Sequence, residues 1–240
     1  MKIKVLILIC GFSLIFPVSS LYAQDNDKIT ILENKILSSS NEAELYNSFE
    51  ELTDEYFKDV KYSQYVELLK SLAERKKELS TAVNYYIAIT RYTQLKNLEE
   101  KKDWNEYFNK GNDYRKEIQD SAEAVIDKTT AKDPVNILAM LVSWRLHKDQ
   151  EDSEAGNSLT DLFNALLEYS KAPANIFLIK DVADQLQSYG EKGQAKELYK
   201  IYTEKLLLTN TDDKELISSA LNFYKEGNLD LAQALYDVYI

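Results

Sequence analysis

From about residue 41 onward, apolar and aromatic positions recur every three or four residues, the spacing that lines them along one side of an α-helix. In AELYNSFEELTDEYF the stripe is Leu45, Phe49, Leu52, Tyr56 and Phe57. A second stripe, Tyr62, Tyr65, Val66, Leu69 and Leu72, runs up to the charged stretch AERKKE. The segment STAVNYYIAITRYTQLKNLEEKK carries Ala82, Tyr85, Tyr86, Ile89, Tyr92, Leu95 and Leu98, which predicts a helix of about six turns. Trp104, Tyr107, Phe108, Tyr114, Ile118, Ala122, Val125 and Ile126 mark the next, and Ile137, Leu138, Leu141, Val142 and Trp144 another. Leu159, Leu162, Phe163, Leu166 and Leu167 follow, then Ile176, Ile179, Val182, Leu186 and Tyr189. Strand-like alternation is absent throughout.

The polar positions between the stripes supply the punctuation. Ser39 with Glu42 predicts a capping box, and Asp103 with Glu106 a second helix start. Asp133-Pro134 places a capping side chain before a proline in the first turn. The stretch from His147 to Ser158 is the longest predicted loop, Pro173 separates two helices, and Asp212 opens the last pair. Gly111 lies inside a helix, where close packing of a neighbouring helix is the first explanation and approach of a ligand the second. The chain thus reads as all-α, about ten helices on short connections, so that neighbours lie antiparallel. Residues 24–40 read as a flexible lead-in with one short helix, 41–130 as helical hairpins, and 131–240 as repeated hairpins.

The first 23 residues are of another kind. Lys2 and Lys4 precede the apolar run VLILICGFSLIF, Pro17 and a small-residue tail ending at Ala23. That is the layout of a secretory signal peptide, with cleavage expected before Gln24 and a periplasmic or secreted, bacterial product. A retained anchor is the alternative, and a lipoprotein through Cys10 is disfavoured by Ile9 before it. Cleavage removes two lysines and no acid, taking the formal charge from −11 to −13. Nucleic acid and anionic lipid repel such a chain; solubility alone accounts for the charge, and cationic partners stay open. It also removes Cys10, the one cysteine, and with it disulfides, thiolate metal sites and cysteine nucleophiles. No membrane span is expected after cleavage.

Laying residue n over n + 34 pairs Lys180 with Lys214, Tyr189 with Phe223, Gly193 with Gly227, Tyr202 with Tyr236 and Leu206 with Ile240. An aromatic closes the first helix, a glycine turns the chain, a small or apolar residue follows five positions on, and an aromatic four beyond that. On these residues the chain resembles the tetratricopeptide repeat, a 34-residue helix-turn-helix unit that stacks into an α-solenoid. GNLDLAQALYDVY, residues 227–239, matches best; the copy at Gly193 has Leu198 where alanine is usual, and KKDWNEYFNKGNDY is a fainter echo without the turn glycine. The resemblance implies that the first helix of each hairpin lines a protein-binding groove. Carried over, it designates Lys180 and Gln187 from one unit and Lys214, Leu221 and Tyr224 from the next. A stack also needs a polar closing helix, and none follows Tyr236, so either a partner buries that last face or, the favoured expectation, the chain is the front part of a longer protein.

Candidate chemistry is thin. No nucleotide-binding glycine loop occurs, clustered metal ligands are lacking, and neither cofactor nor metal is expected. His147 reads as a cation at a helix C-terminus rather than a catalytic base. The acid pairs Glu50-Glu51 and Glu99-Glu100 read as solvated faces, and the tyrosines chiefly as filling between helices. The sequence therefore points to an exported, non-enzymatic scaffold holding another envelope or secreted protein. An all-α polysaccharide hydrolase or lyase, and the docking arm of a longer exported protein, are the alternatives.

Overall fold

The computed structural model describes residues 22–171, 176–208, 213–225 and 227–239. Most of the expected leader, residues 1–21, and Pro173 and Asp212 lie outside the described residues. Within them the chain is helical and contains no strand. The helices are α1 (Tyr22–Ser38), α2 (Glu42–Lys58), α3 (Tyr62–Arg75), α4 (Ser80–Lys101), α5 (Trp104–Ile126) and α6 (Pro134–Asp149). They continue with α7 (Ala155–Lys171), α8 (Ile176–Ser188), α9 (Lys192–Leu208), α10 (Asp213–Lys225) and α11 (Leu229–Tyr239). Contacts divide the chain into two compact units, Met1–Leu162 and Phe163–Ile240. The division expected at 130/131 falls on the connection between α5 and α6, which pack together inside the first unit.

In the first unit, α1 to α4 enclose one core cluster. Its fully buried members include Leu32, Ile36, Phe49, Leu52, Tyr65, Leu69 and Leu72. Burying one such side chain contributes about 1.5–3 kcal/mol. Residues 24–40 are therefore not a loose lead-in. Leu32 and Ile36, four apart, anchor α1 on α2, and Lys76 Nζ ties its end by donating to the carbonyls of Leu37 and Ser39. A second cluster joins α4, α5 and α6 through Tyr92, Leu95, Ile118, Ala122, Val125, Val142 and Leu146. Helix α4 belongs to both clusters, so its buried residues run round most of its circumference and include polar ones. Arg91 is buried among them, held by Glu117, Ser63 and Gln94, with its guanidinium 4.7 Å from the centre of the Tyr114 ring.

The caps depart from expectation in two places. The cap of α2 is Asn41, whose Oδ1 accepts from the N–H groups of Ala43 and Glu44; Ser39 instead bonds to the backbone of Asn41. Asp133 precedes Pro134 as expected, but its carboxylate turns back to the N–H and hydroxyl of Thr130. Asp103 does cap α5, accepting from Glu106 N. The predicted loop from His147 to Ser158 shrinks to residues 150–154, because α6 continues to Asp149 and α7 begins at Ala155. Gly111 packs against Arg115 of its own helix and Leu95 of α4, rather than against a neighbouring backbone.

In the second unit, α8 packs on α9, α10 on α11, and α9 also on α11. Both hairpins turn alike. Gly190 and Gly227 have φ of +85° and +79°. The N–H of each bonds three residues back, to Gln187 and Tyr224, and the following N–H bonds five back, Glu191 to Leu186 and Asn228 to Phe223. This is the Schellman arrangement, which needs a left-handed residue and so favours glycine. The equivalent turns are 37 residues apart, not 34. Gly193 is not a turn residue; it lies in the first turn of α9, and the pairing of Gly193 with Gly227 is corrected to Gly190 with Gly227. The shift brings Ala195 opposite Ala232, both donating to the residue four back at the start of the second helix. It also brings Leu198 opposite Leu235 and Tyr199 opposite Tyr236.

Candidate functional site

The five residues designated from sequence all sit on the first helices of the two hairpins. On α8, Lys180 and Gln187 are seven apart and share one side of the helix. On α10, Lys214, Leu221 and Tyr224 share a side in the same way. The inner side of α10 is occupied by Leu216, Ser219, Ala220 and Phe223, all buried. Phe223 meets Tyr199 edge-on at 5.1 Å, and Ser219 Oγ pairs with the Tyr202 hydroxyl at 3.0 Å. That leaves Leu221 and Tyr224 outward, 44% and 62% exposed, with Lys214 exposed on the same side.

The designated face of α8 is more polar. Lys180 Nζ lies 2.6 Å from Asp184 Oδ2, and the other oxygen of Asp184 accepts from the Tyr199 hydroxyl at 2.7 Å. Lys180 is thus committed to an ion pair. Asp184 is a member of this face that the sequence reading missed; its signal was the Lys-Asp spacing of four on a helix. Burial raises the carboxyl pKa of Asp181 to about 6, with Lys180 opposing and Asp184 adding to the rise.

A concave feature lies in the first unit, between α4, α5 and α6. It is a recess of about 310 Å3, lined by residues of α4 (Leu95, Glu99), α5 (Tyr107, Asn112, Arg115) and the end of α6 (Leu146, Asp149, Gln150). Its polar walls are fixed by mutual bonds. Tyr107 donates its hydroxyl to Glu99 at 3.1 Å and accepts from Arg115. Lys96 bridges Glu99 and Asp149 at 2.6 and 3.3 Å, and Asp149 also accepts from Tyr92 at 2.6 Å. Burial and the bond to Glu99 push the Tyr107 hydroxyl above its ordinary pKa, so it stays a neutral donor. Sequence reasoning assigned Tyr107 to helix packing and Glu99 to a solvated face. Nothing local could show that residues from three helices meet here.

Other candidate chemistry is placed as follows. His147 stands in the last turn of α6, with Nδ1 3.3 Å from Asp152 Oδ2. Glu50 and Glu99 are half-buried while Glu51 and Glu100 are exposed. Consecutive helical residues do not face each other, so neither pair forms a carboxylate dyad. Burial, with Asp54 adding, raises Glu50 to about 7. Among the described residues no three His, Asp, Glu or Cys side chains gather as metal ligands would, and no helix is long and apolar enough to cross a membrane.

The chain matches no protein-family model and no curated protein. Its own residues must carry the functional reading.

Proposed function

We propose that this chain is an exported, non-enzymatic scaffold whose hairpins stack in the manner of tetratricopeptide repeats and hold another envelope or secreted protein on the face of α8 and α10. The observation that carries this is the duplicated turn. Each hairpin has a left-handed glycine, an alanine five residues on and a tyrosine four beyond: Gly190, Ala195 and Tyr199, then Gly227, Ala232 and Tyr236. In the 37-residue register the copies agree at the alanine position, where the 34-residue register had Leu198. Exposed Leu221 and Tyr224 give the face the apolar anchors that contact surfaces use.

The test is capture from the envelope fraction of the source organism. Substituting Lys214→Glu with Tyr224→Ala should reduce recovery of the bound protein at least tenfold with an unchanged melting temperature. Recovery at the unsubstituted level would overturn the assignment of this face. N-terminal sequencing of the exported product should begin at Gln24, and a product starting at Met1 would overturn the export half of the proposal.

A further inference from the structure

The start of α5 exposes two aromatic rings. Trp104 is 47% and Phe108 76% exposed. Their ring centroids lie 6.2 Å apart with the planes tilted by 32°, and both rings are open to solvent. Tyr107 stands at 87° to both and passes its hydroxyl to the wall of the cavity between α4, α5 and α6. Tyr107 thus links the exposed pair to the recess, whose lining contains neither Trp104 nor Phe108.

The polar lining is what selects the ligand. Two carboxylates of the lining, Glu99 and Asp149, are balanced by Arg115 in the lining and by Lys96, which pairs with both. An anion entering the recess meets the acids and a cation meets Arg115. The lining groups already pair with one another, so a ligand adds bonds at their remaining lone pairs and N–H groups, which a purely apolar one cannot do. Donors and acceptors are present together. Arg115 donates to Asn112 Oδ1 at 3.0 Å, which turns the Asn112 amide N–H groups away as donors. Gln150 donates to Leu146 O at 3.2 Å, which leaves its Oε1 as an acceptor. A ligand that fits is uncharged, carries closely spaced groups that both donate and accept, and has one apolar face to lie on Trp104 or Phe108. A pyranose ring has those properties: axial C–H bonds on one face, hydroxyls round the edge. The volume of about 310 Å3 stands at the small end of the roughly 300–1,000 Å3 usual for small-molecule sites.

We propose that Trp104, Phe108 and the recess bordered by Tyr107, Glu99 and Arg115 form a binding site for a neutral saccharide, one sugar ring stacked on the aromatic platform and the next in the recess. The site lies wholly in the first unit and does not depend on the repeat reading of the second.

The test uses the full chain and four neutral probes, cellotetraose, xylotetraose, mannotetraose and chitotetraose, followed by calorimetry and tryptophan fluorescence. Trp144 is fully buried and supplies a constant background, so a spectral change reports Trp104. At least one probe should give a saturable heat and a blue shift. Trp104→Ala should abolish the shift and weaken binding at least tenfold with an unchanged melting temperature; Arg115→Ala should weaken it comparably. The proposal falls if none of the four saturates, or if Trp104→Ala keeps full affinity. It falls equally if only an oligogalacturonate or a quaternary ammonium ligand binds. It also falls if the Trp104→Ala, Phe108→Ala double variant merely converts a self-associated form to monomer by sedimentation with no sugar bound.

Discussion

Gly190 and Gly193 are three residues apart and play opposite parts. Gly190 occupies a left-handed turn, where a Cβ costs about 1–2 kcal/mol. Gly193 sits in the first turn of α9 with nothing within 4 Å of where a Cβ would be. Gly190→Ala and Gly227→Ala should each lower stability by about 1 kcal/mol, whereas Gly193→Ala should raise it by about 0.5 kcal/mol. Urea titration of the three variants checks this, and a loss at Gly193 would restore the 34-residue register. Glu50 gives a pH dependence of definite sign. Its pKa rises from 4.5 to about 7 because burial disfavours the carboxylate. Between those values the folded state holds more protons than the unfolded, so this group's contribution falls as pH rises and the full penalty is present above about 7. Glu50→Gln should flatten the fall in melting temperature between pH 5 and pH 8. An unchanged profile would show that water reaches the group freely.

At the scale of elements, α1 is the clearest departure from the sequence reading. Gln24 to Ser40 is rich in polar residues, and only Ile29, Leu32, Ile36 and a few neighbours carry the helical spacing. A stripe that short has no force alone; it becomes a helix because α2 and α3 offer a surface to bury it on. Leu32→Ala and Ile36→Ala should each cost about 2–5 kcal/mol, the range for emptying a closed core site. Thermal unfolding monitored by circular dichroism measures this, and a cost below about 1 kcal/mol would mean that α1 frays from the unit. Helix α4 illustrates the converse. Of its predicted stripe, Ala82, Tyr86, Tyr92, Leu95 and Leu98 are buried and Tyr85 and Ile89 half-buried, yet Arg91 and Gln94 are buried with them. Their burial depends on Glu117, Ser63 and Tyr114 from neighbouring helices, which no single-helix pattern contains.

At the scale of the molecule, the sequence alone determined that the described chain is helical, roughly where its helices lie, and which side of most of them turns inward. Those properties follow from a period of 3.6 residues, from scarce glycine and proline and from capping side chains, all of which act within a few residues. Tertiary structure alone decided which glycine turns each hairpin. A Schellman turn is set by where the two helices stop packing, and Gly190 and Gly193 are equally plausible as text. It alone decided that Leu221 and Tyr224 face out while Phe223 faces in, since all three are apolar or aromatic. It alone brought Glu99, Tyr107, Arg115 and Asp149 to one recess beside Trp104. These residues come from three helices, and their meeting depends on how those helices are set against one another, a quantity that the spacing of residues along a single helix does not contain.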